Sequence, residues 1–147
     1  MKRTFAGLSV ALAFALLATP SQAQDPSLTL DPAPHVEYLE IVTTEVDKTI
    51  ATLSEHHGVA FSEPIAELGF GRVASLAGGG RISVRAPIGD QETPVVRPYL
   101  LVDDIEQAIA TAEAAGAQFA MYATEIPEQG TFAIYFLGGI QHGLWQR

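Results

Sequence analysis

Along the first half of the chain, hydrophobic residues are spaced first as in a strand, then as in a helix, and then as in strands again. Residues 36–42 are rich in β-branched and aromatic side chains, which predicts a strand. Apolar residues then recur at helical spacing over residues 45–57, so we predict an amphipathic helix that ends at Gly58. Short strand-like runs follow this glycine. We expect these three strands near residues 61–68, 72–77 and 81–85.

The second half of the chain repeats this order. A strand is predicted at residues 95–102, and the side chains of Asp103 and Asp104 are suited to cap the helix that follows. Residues 104–111 repeat the pattern of residues 45–52 at an offset of 59 residues, and Gly116 marks the end of the second helix. We expect the last three strands at residues 118–123, 131–136 and 140–146.

The two copies predict the fold class. Each half consists of a strand, a helix and three strands, so each is a small sheet with a helix on one face. A repeat of this length cannot be a solenoid, which stacks several short units in a row. We therefore predict an α+β domain over residues 35–147, built from two βαβββ modules at about residues 35–90 and 91–147. A binding site is expected where the modules meet.

The residues before this domain have the features of an export signal. Lys2 and Arg3 precede an apolar run at residues 5–18, and Ala23 follows Ser21 with the small-residue spacing of a cleavage site. We predict a signal peptide at residues 1–23, followed by an extended tether at residues 24–34. The protein is then periplasmic or secreted, with no membrane attachment after cleavage. A retained N-terminal anchor is the alternative.

Composition excludes several classes of function. The formal net charge of −9 would repel phosphate backbones, so we expect no nucleic-acid partner. The chain has no cysteine, which rules out disulfides and thiolate chemistry. Stability must then come from packing alone, although export is expected.

Residues 35–147 resemble the vicinal oxygen chelate superfamily, which includes glyoxalase I, the extradiol dioxygenases and the bleomycin-resistance binding proteins. The resemblance rests on the paired βαβββ order, on the stretch at residues 99–116 and on the closing Gly-Leu-Trp-Gln at residues 143–146. It implies that the two modules curl into an open, barrel-like cavity. It does not settle the function, because this fold hosts lyases, oxygenases, epimerases and non-catalytic binders.

The same resemblance implies four metal-ligand positions, one on the first and last strand of each module. In this sequence they fall on Tyr38, Ser83, Arg97 and Gly143. A divalent cation prefers imidazole or carboxylate ligands, and the guanidinium of Arg97 would repel it. We therefore predict no metal and no cofactor. A register slip of one residue, which would bring Glu37 and His142 to these positions, is the alternative.

Strand alternation predicts which side chains share the cavity face. The predicted ligand-binding residues are Tyr38, Glu40, Arg85, Arg97, Tyr99 and Trp145, with Ser83 and Gly143 leaving room beside them. Glu40 is expected to neutralise one of the two arginines, so that one guanidinium remains for a ligand. Glu40 is also a weak candidate for a general base. Alternatively, these side chains form an ordinary ion pair and the aromatic residues only fill the space.

The function predicted from these residues is metal-free binding of a small aromatic or anionic molecule between the modules. One alternative is a metal-dependent lyase or dioxygenase of the glyoxalase kind. A second is a structural or interaction module, because exposed sheet edges favour a homodimer.

Overall fold

The computed structural model describes residues 35–147, so the predicted signal peptide (residues 1–23) and tether (residues 24–34) lie outside the described residues. Within this part of the chain, no helix is long and apolar enough to cross a membrane. The elements in chain order are β1 (Val36–Val42), α1 (Val46–His57), a 3₁₀ turn (Ala66–Leu68), β2 (Arg72–Ser75), β3 (Arg81–Arg85), β4 (Val95–Leu101), α2 (Ile105–Ala114), β5 (Gln118–Ile126), β6 (Gly130–Leu137) and β7 (Ile140–Gln146).

The strands form one seven-stranded mixed sheet in the order β2-β3-β1-β4-β7-β6-β5. In each module the first strand lies parallel to the last, since β1 pairs with β3 and β4 pairs with β7. The modules join where β1 and β4 pair antiparallel. The sheet curls without closing into a barrel, which confirms the predicted α+β fold with an open cavity between paired modules.

The junction of the modules follows the sequence repeat. In the β1–β4 pair, Leu39 lies opposite Pro98, its own counterpart at an offset of 59 residues. On either side, Tyr38 lies opposite Tyr99 and Glu40 lies opposite Arg97. A local two-fold axis therefore passes between Leu39 and Pro98. This axis brings the four neighbouring side chains together on the cavity face.

The strand predicted at residues 61–68 is wrong. Only Ile65 forms a β-bridge there, to Gly71, and the next residues form the 3₁₀ turn. Pro64 offers no N–H for a ladder, and Gly69 and Phe70 both have positive φ angles, so the segment cannot stay extended. The first module consequently has three strands and the second has four.

Two hydrophobic clusters lie on opposite faces of the sheet. On the outer face, Ile105 and Ile109 of α2 pack against Ala133 and Leu144. The helix begins at its expected cap, because Asp104 Oδ1 accepts a hydrogen bond from the Gln107 amide at 3.0 Å. On the inner face, a cluster of aromatic and aliphatic residues forms the floor of the cavity, namely Tyr38, Leu68, Tyr99 and Trp145.

Candidate functional site

A cavity of about 240 Å³ lies between the modules on the inner face of the sheet. All six side chains predicted to bind a ligand line it, together with several residues that the sequence did not indicate. Its lining comprises Tyr38, Glu40, Glu67, Leu68, Gly69, Arg85, Ile88, Glu92, Arg97, Tyr99, Met121, Ile126, Phe132, Ile134 and Trp145.

The floor of the cavity is aromatic. Trp145 is 1% exposed and stacks on Tyr38 with ring centroids 4.9 Å apart, while Tyr99 meets it edge-on at 5.8 Å. The ring of Phe132 lies nearly parallel to Trp145 at 6.3 Å and is only partly buried. A bound molecule would therefore touch Phe132 and the neighbouring Ile134, with the buried rings beneath them.

One end of the cavity carries a buried carboxylate that contacts both arginines. Glu40 Oε1 accepts a hydrogen bond from Arg85 Nε at 2.6 Å. Its other oxygen, Oε2, accepts from Arg97 Nη1 and from the Tyr99 hydroxyl, the latter at 3.0 Å. All four residues are less than 9% exposed. Three donors thus converge on one carboxylate, which satisfies a charge that would otherwise be costly to bury.

A second carboxylate, which the sequence did not indicate, completes the charge balance. The Glu92 side chain accepts two hydrogen bonds from Arg85, at 2.6 and 2.7 Å, and lies 3.9 Å from Arg97 Nη2. The expectation that one guanidinium remains free is therefore wrong, since two arginines face two glutamates. Glu92 lies in the connection between β3 and β4, where strand alternation makes no prediction.

Gln141 holds the second arginine in place. Its side-chain oxygen accepts from Arg97 Nε at 2.8 Å and from Nη2 at 2.5 Å. The sequence contains the signal for this residue, because Gln141 alternates in phase with Gly143 and Trp145 on β7. Arg97 is thereby fixed between Glu40 and Gln141.

The opposite end of the aromatic floor is covered by another ion pair. Arg81 lies over the rings of Trp145 and Tyr38, with its guanidinium carbon 5.0 and 5.4 Å from their centroids. It lies 3.5 Å from Glu37, which also accepts a hydrogen bond of 2.6 Å from Arg147. These contacts tie the end of the chain to β1 and cover the floor from that side.

Burial controls the ionisation of the two tyrosines in the cavity floor, Tyr38 and Tyr99. It raises the pKa of Tyr38 to about 12, and the negative charge of Glu40 acts in the same direction. Burial also raises the pKa of Tyr99, again with help from Glu40. Both phenols are therefore neutral at ordinary pH, and the Tyr99 hydroxyl donates its hydrogen bond to Glu40.

Glu92 is expected to make the stability of the protein depend on acid pH. Hydrogen bonds from Arg85 lower the pKa of Glu92 from 4.5 to about 2 in the folded chain. A depressed pKa contributes stability that is fully present above pH 4.5 and is lost as the pH falls towards about 2. Urea unfolding across this interval should show a steeper loss in the wild type than in Glu92→Gln. Glu67→Gln is the control, because Glu67 has no ion-pair partner within residues 35–147; equal slopes in wild type and Glu92→Gln would contradict this role.

The four positions that correspond to metal ligands do not fit a divalent cation. Tyr38 and Arg97 belong to the aromatic floor and the charge network, and Ser83 offers only a hydroxyl. At Gly143 a side chain has no room, because an added Cβ would lie within 2.6 Å of three carbon atoms of the Tyr99 ring. Among residues 35–147 no three histidine or acidic side chains are grouped as a metal site would need.

The residues of the alternative register lie elsewhere. His142 stacks on Tyr135 with centroids 5.2 Å apart, on the face that α2 covers. Glu37 forms ion pairs with Arg81 and Arg147. The structure therefore has the register in which Glu40, Arg97 and Tyr99 share the cavity.

A catalytic role for Glu40 stays a prediction, and its surroundings limit what the group can do. A general base needs a lone pair directed at the substrate proton. The three donors from Arg85, Arg97 and Tyr99 engage both oxygens of this carboxylate. The same contacts suit a structural role in which Glu40 keeps the two arginines in place.

Known proteins resemble the chain in structure and not in sequence. No family profile and no curated protein matches the sequence. A hypothetical protein from Bacillus halodurans C-125 has a TM-score of 0.62 at 12% identity, over 78% of this chain and 95% of the other. Methylmalonyl-CoA epimerase from Mycobacterium tuberculosis has a TM-score of 0.59 at 16% identity, over 75% and 85%. A methylmalonyl-CoA epimerase in complex with methylmalonyl-CoA and NH4+ has a TM-score of 0.57 at 12% identity, over 77% and 94%.

These similarities concern the fold alone, because the sequence identities are low. Methylmalonyl-CoA epimerase belongs to the vicinal oxygen chelate superfamily, whose paired modules the sequence had suggested. The described part of the chain therefore shares the fold of these solved structures.

Proposed function

We propose that the protein binds a small aromatic molecule between its two modules, without a metal ion. The observation that carries the proposal is a cavity in which an apolar, ring-lined wall faces a cluster of polar groups. Ligand sites commonly combine a mostly apolar lining with a few well-placed polar side chains. Here the polar groups are Glu40, Arg85, Glu92 and Arg97.

The apolar wall is suited to a flat molecule. Phe132 and Ile134 are partly buried and face the cavity, while Met121 is 41% exposed beside them. Ile88 is 73% exposed and also lines the cavity. A ring inserted between these side chains would remove apolar surface from water at about 25 cal/mol per Å².

The structural neighbours support a small-molecule site in this fold. One of the similar structures is a methylmalonyl-CoA epimerase in complex with methylmalonyl-CoA. In the present chain the four positions that would supply a metal are unsuitable, so we propose binding without metal chemistry. The competing metal-dependent lyase or dioxygenase is disfavoured by the same four residues.

Export and self-association are further parts of the proposal that rest on sequence. The signal at residues 1–23 would place the binding domain in the periplasm or outside the cell. In the described sheet, β2 and β5 are the edge strands, and either could support the expected homodimer. Size-exclusion chromatography with light scattering tests the second point.

Fluorescence of Trp145 can test ligand binding directly. Trp145 is the single tryptophan of the chain and forms the cavity floor, so a change in its emission reports on this site. We expect saturable changes with small aromatic compounds. Ile134→Phe should weaken such binding by about tenfold or more, because the added ring fills part of the cavity.

Ile140→Phe is the matched control, because Ile140 is 64% exposed on the neighbouring strand and lies outside the cavity. It should leave binding unchanged. Equal weakening by both substitutions would contradict binding in the cavity. Stoichiometric zinc, nickel, manganese or iron in protein purified without chelators would contradict the metal-free part of the proposal.

A further inference from the structure

We propose that Arg85 and Arg97 form a carboxylate subsite that the chain fills with its own Glu92, and that the natural ligand is an aromatic monocarboxylate that displaces Glu92. This inference rests on the proposed function and names the class of ligand. It follows from the contacts of Glu92, from its weak attachment and from the charge balance of the pocket.

The contacts of Glu92 are those of a bound carboxylate. Its two oxygens accept two nearly parallel hydrogen bonds from Arg85 Nη1 and Nη2, at 2.7 and 2.6 Å. This fork geometry is the arrangement by which arginine recognises a free carboxylate. Arg97 Nη2 lies 3.9 Å from the same group. A ligand carboxylate in this place would meet two guanidinium groups that are already oriented.

The segment that carries Glu92 is weakly attached. Residues 86–94 contain neither helix nor strand. Within the segment, the Glu92 amide donates to Gly89 O at 3.0 Å and the Ile88 amide donates to the Glu92 carboxylate at 2.8 Å. Its side-chain contacts with the strands run through Arg85 and Arg97. Opening this segment would therefore break few contacts outside the pocket.

The two glutamates of the cluster differ in how easily they can leave. The Glu40 side chain is 8% exposed and stands in the middle of β1, so it cannot move without the strand. The Glu92 side chain is 23% exposed and stands on the connection between strands. Glu92 alone of the two can swing into solvent, where its charge would be hydrated.

The charge balance of the cluster indicates what charge the ligand carries. Arg85 and Arg97 face Glu40 and Glu92, so the cluster is neutral. An anionic ligand that binds beside Glu92 would leave the cluster with an excess negative charge, which is unfavourable at a buried site. A ligand with one carboxylate that replaces Glu92 keeps the balance. A neutral ligand gains nothing from the exchange.

The experiment compares benzoate with benzamide, which has the same ring and a neutral head group. Trp145 fluorescence gives the dissociation constant for each probe with the wild type, Glu92→Gln, Glu92→Asp and Asp90→Asn. Removing the internal competitor should make benzoate bind about tenfold more tightly to Glu92→Gln, because the site is then no longer filled by the chain itself. Benzamide affinity should change little. Circular dichroism shows whether each variant is folded.

Glu92→Asp provides the test if Glu92→Gln fails to fold. It keeps the charge and shortens the side chain, so benzoate affinity should lie between those of the wild type and Glu92→Gln. Asp90→Asn should match the wild type, because Asp90 is exposed on the same segment, lies outside the cavity and contacts neither arginine.

Two outcomes overturn the carboxylate subsite. In the first, benzoate binds folded Glu92→Gln or Glu92→Asp no more tightly than it binds the wild type. In the second, benzamide gains as much affinity as benzoate in these variants. Neither outcome refutes binding between the modules, which fails if neutral and charged aromatic compounds alike leave Trp145 emission unchanged. The two proposals can therefore fail separately.

Discussion

Replacing Glu40 with glutamine should destabilise the protein by about 3–5 kcal/mol, because it leaves a buried arginine without its carboxylate. Arg97 would then retain only Gln141 and the Tyr99 hydroxyl, with Glu92 3.9 Å away. Urea unfolding followed by circular dichroism measures the change. Glu45→Gln is the control, because Glu45 forms an exposed pair with Lys48 and should cost less than about 1 kcal/mol.

A double substitution can attribute the loss to charge and not to shape. Glu40→Gln combined with Arg97→Gln removes one charge of each sign, so Arg85 and Glu92 remain as a balanced pair. The double variant should lose less stability than the sum of the two single variants. If the effects add, or if Glu40→Gln costs less than about 1 kcal/mol, the network does not stabilise the cavity as described.

Gly143→Ala should be the other severe substitution, with a loss of at least about 3 kcal/mol or no folded protein. An added Cβ would lie within 2.6 Å of the Tyr99 ring. That ring cannot turn aside, because its hydroxyl donates to Glu40 and the ring packs in T-shaped contacts against Trp145 and Phe132. Thermal unfolding and the yield of soluble protein measure the effect.

Gly78→Ala is the control for this substitution, since an added Cβ at Gly78 meets nothing within 4 Å and the backbone does not require a positive φ angle. It should leave stability nearly unchanged. In a Tyr99→Ala background, Gly143→Ala should cost far less than in the wild type, because the clashing ring is gone. A similar cost in both backgrounds would place the problem elsewhere than at the Tyr99 ring.

Much of the fold could be predicted because periodicity and repetition both indicate it. The helix stop at Gly58 follows from the αL conformation that glycine tolerates, and Asp104 caps α2 as its residue type suggests. The strand expected at residues 61–68 failed because Pro64 interrupts the ladder and two consecutive residues with positive φ follow. Pro64 and these two residues therefore prevented the strand that the apolar pattern predicts.

The site could be predicted only as far as the strands extend. Alternation placed Glu40, Arg85 and Arg97 on one face, because side chains on a strand have a strict period of two. Glu92 lies on an irregular connection, where no period exists, so no pattern in the sequence indicates that it reaches Arg85. The balanced charge of the cluster of two arginines and two glutamates could therefore not be predicted, although both arginines were placed correctly.

The two-fold axis at Leu39 and Pro98 bears on how the chain could have arisen and why its halves stay joined. If the second module were a separate protein, two copies could pair through β4 as β1 and β4 now pair, and Arg97 of one copy would lie opposite Tyr99 of the other. The Arg97 side chains of both copies would then lack a carboxylate where the two β4 strands pair. Glu40 supplies it from one side only, so the difference between the halves makes each the preferred partner of the other and disfavours pairing of like with like.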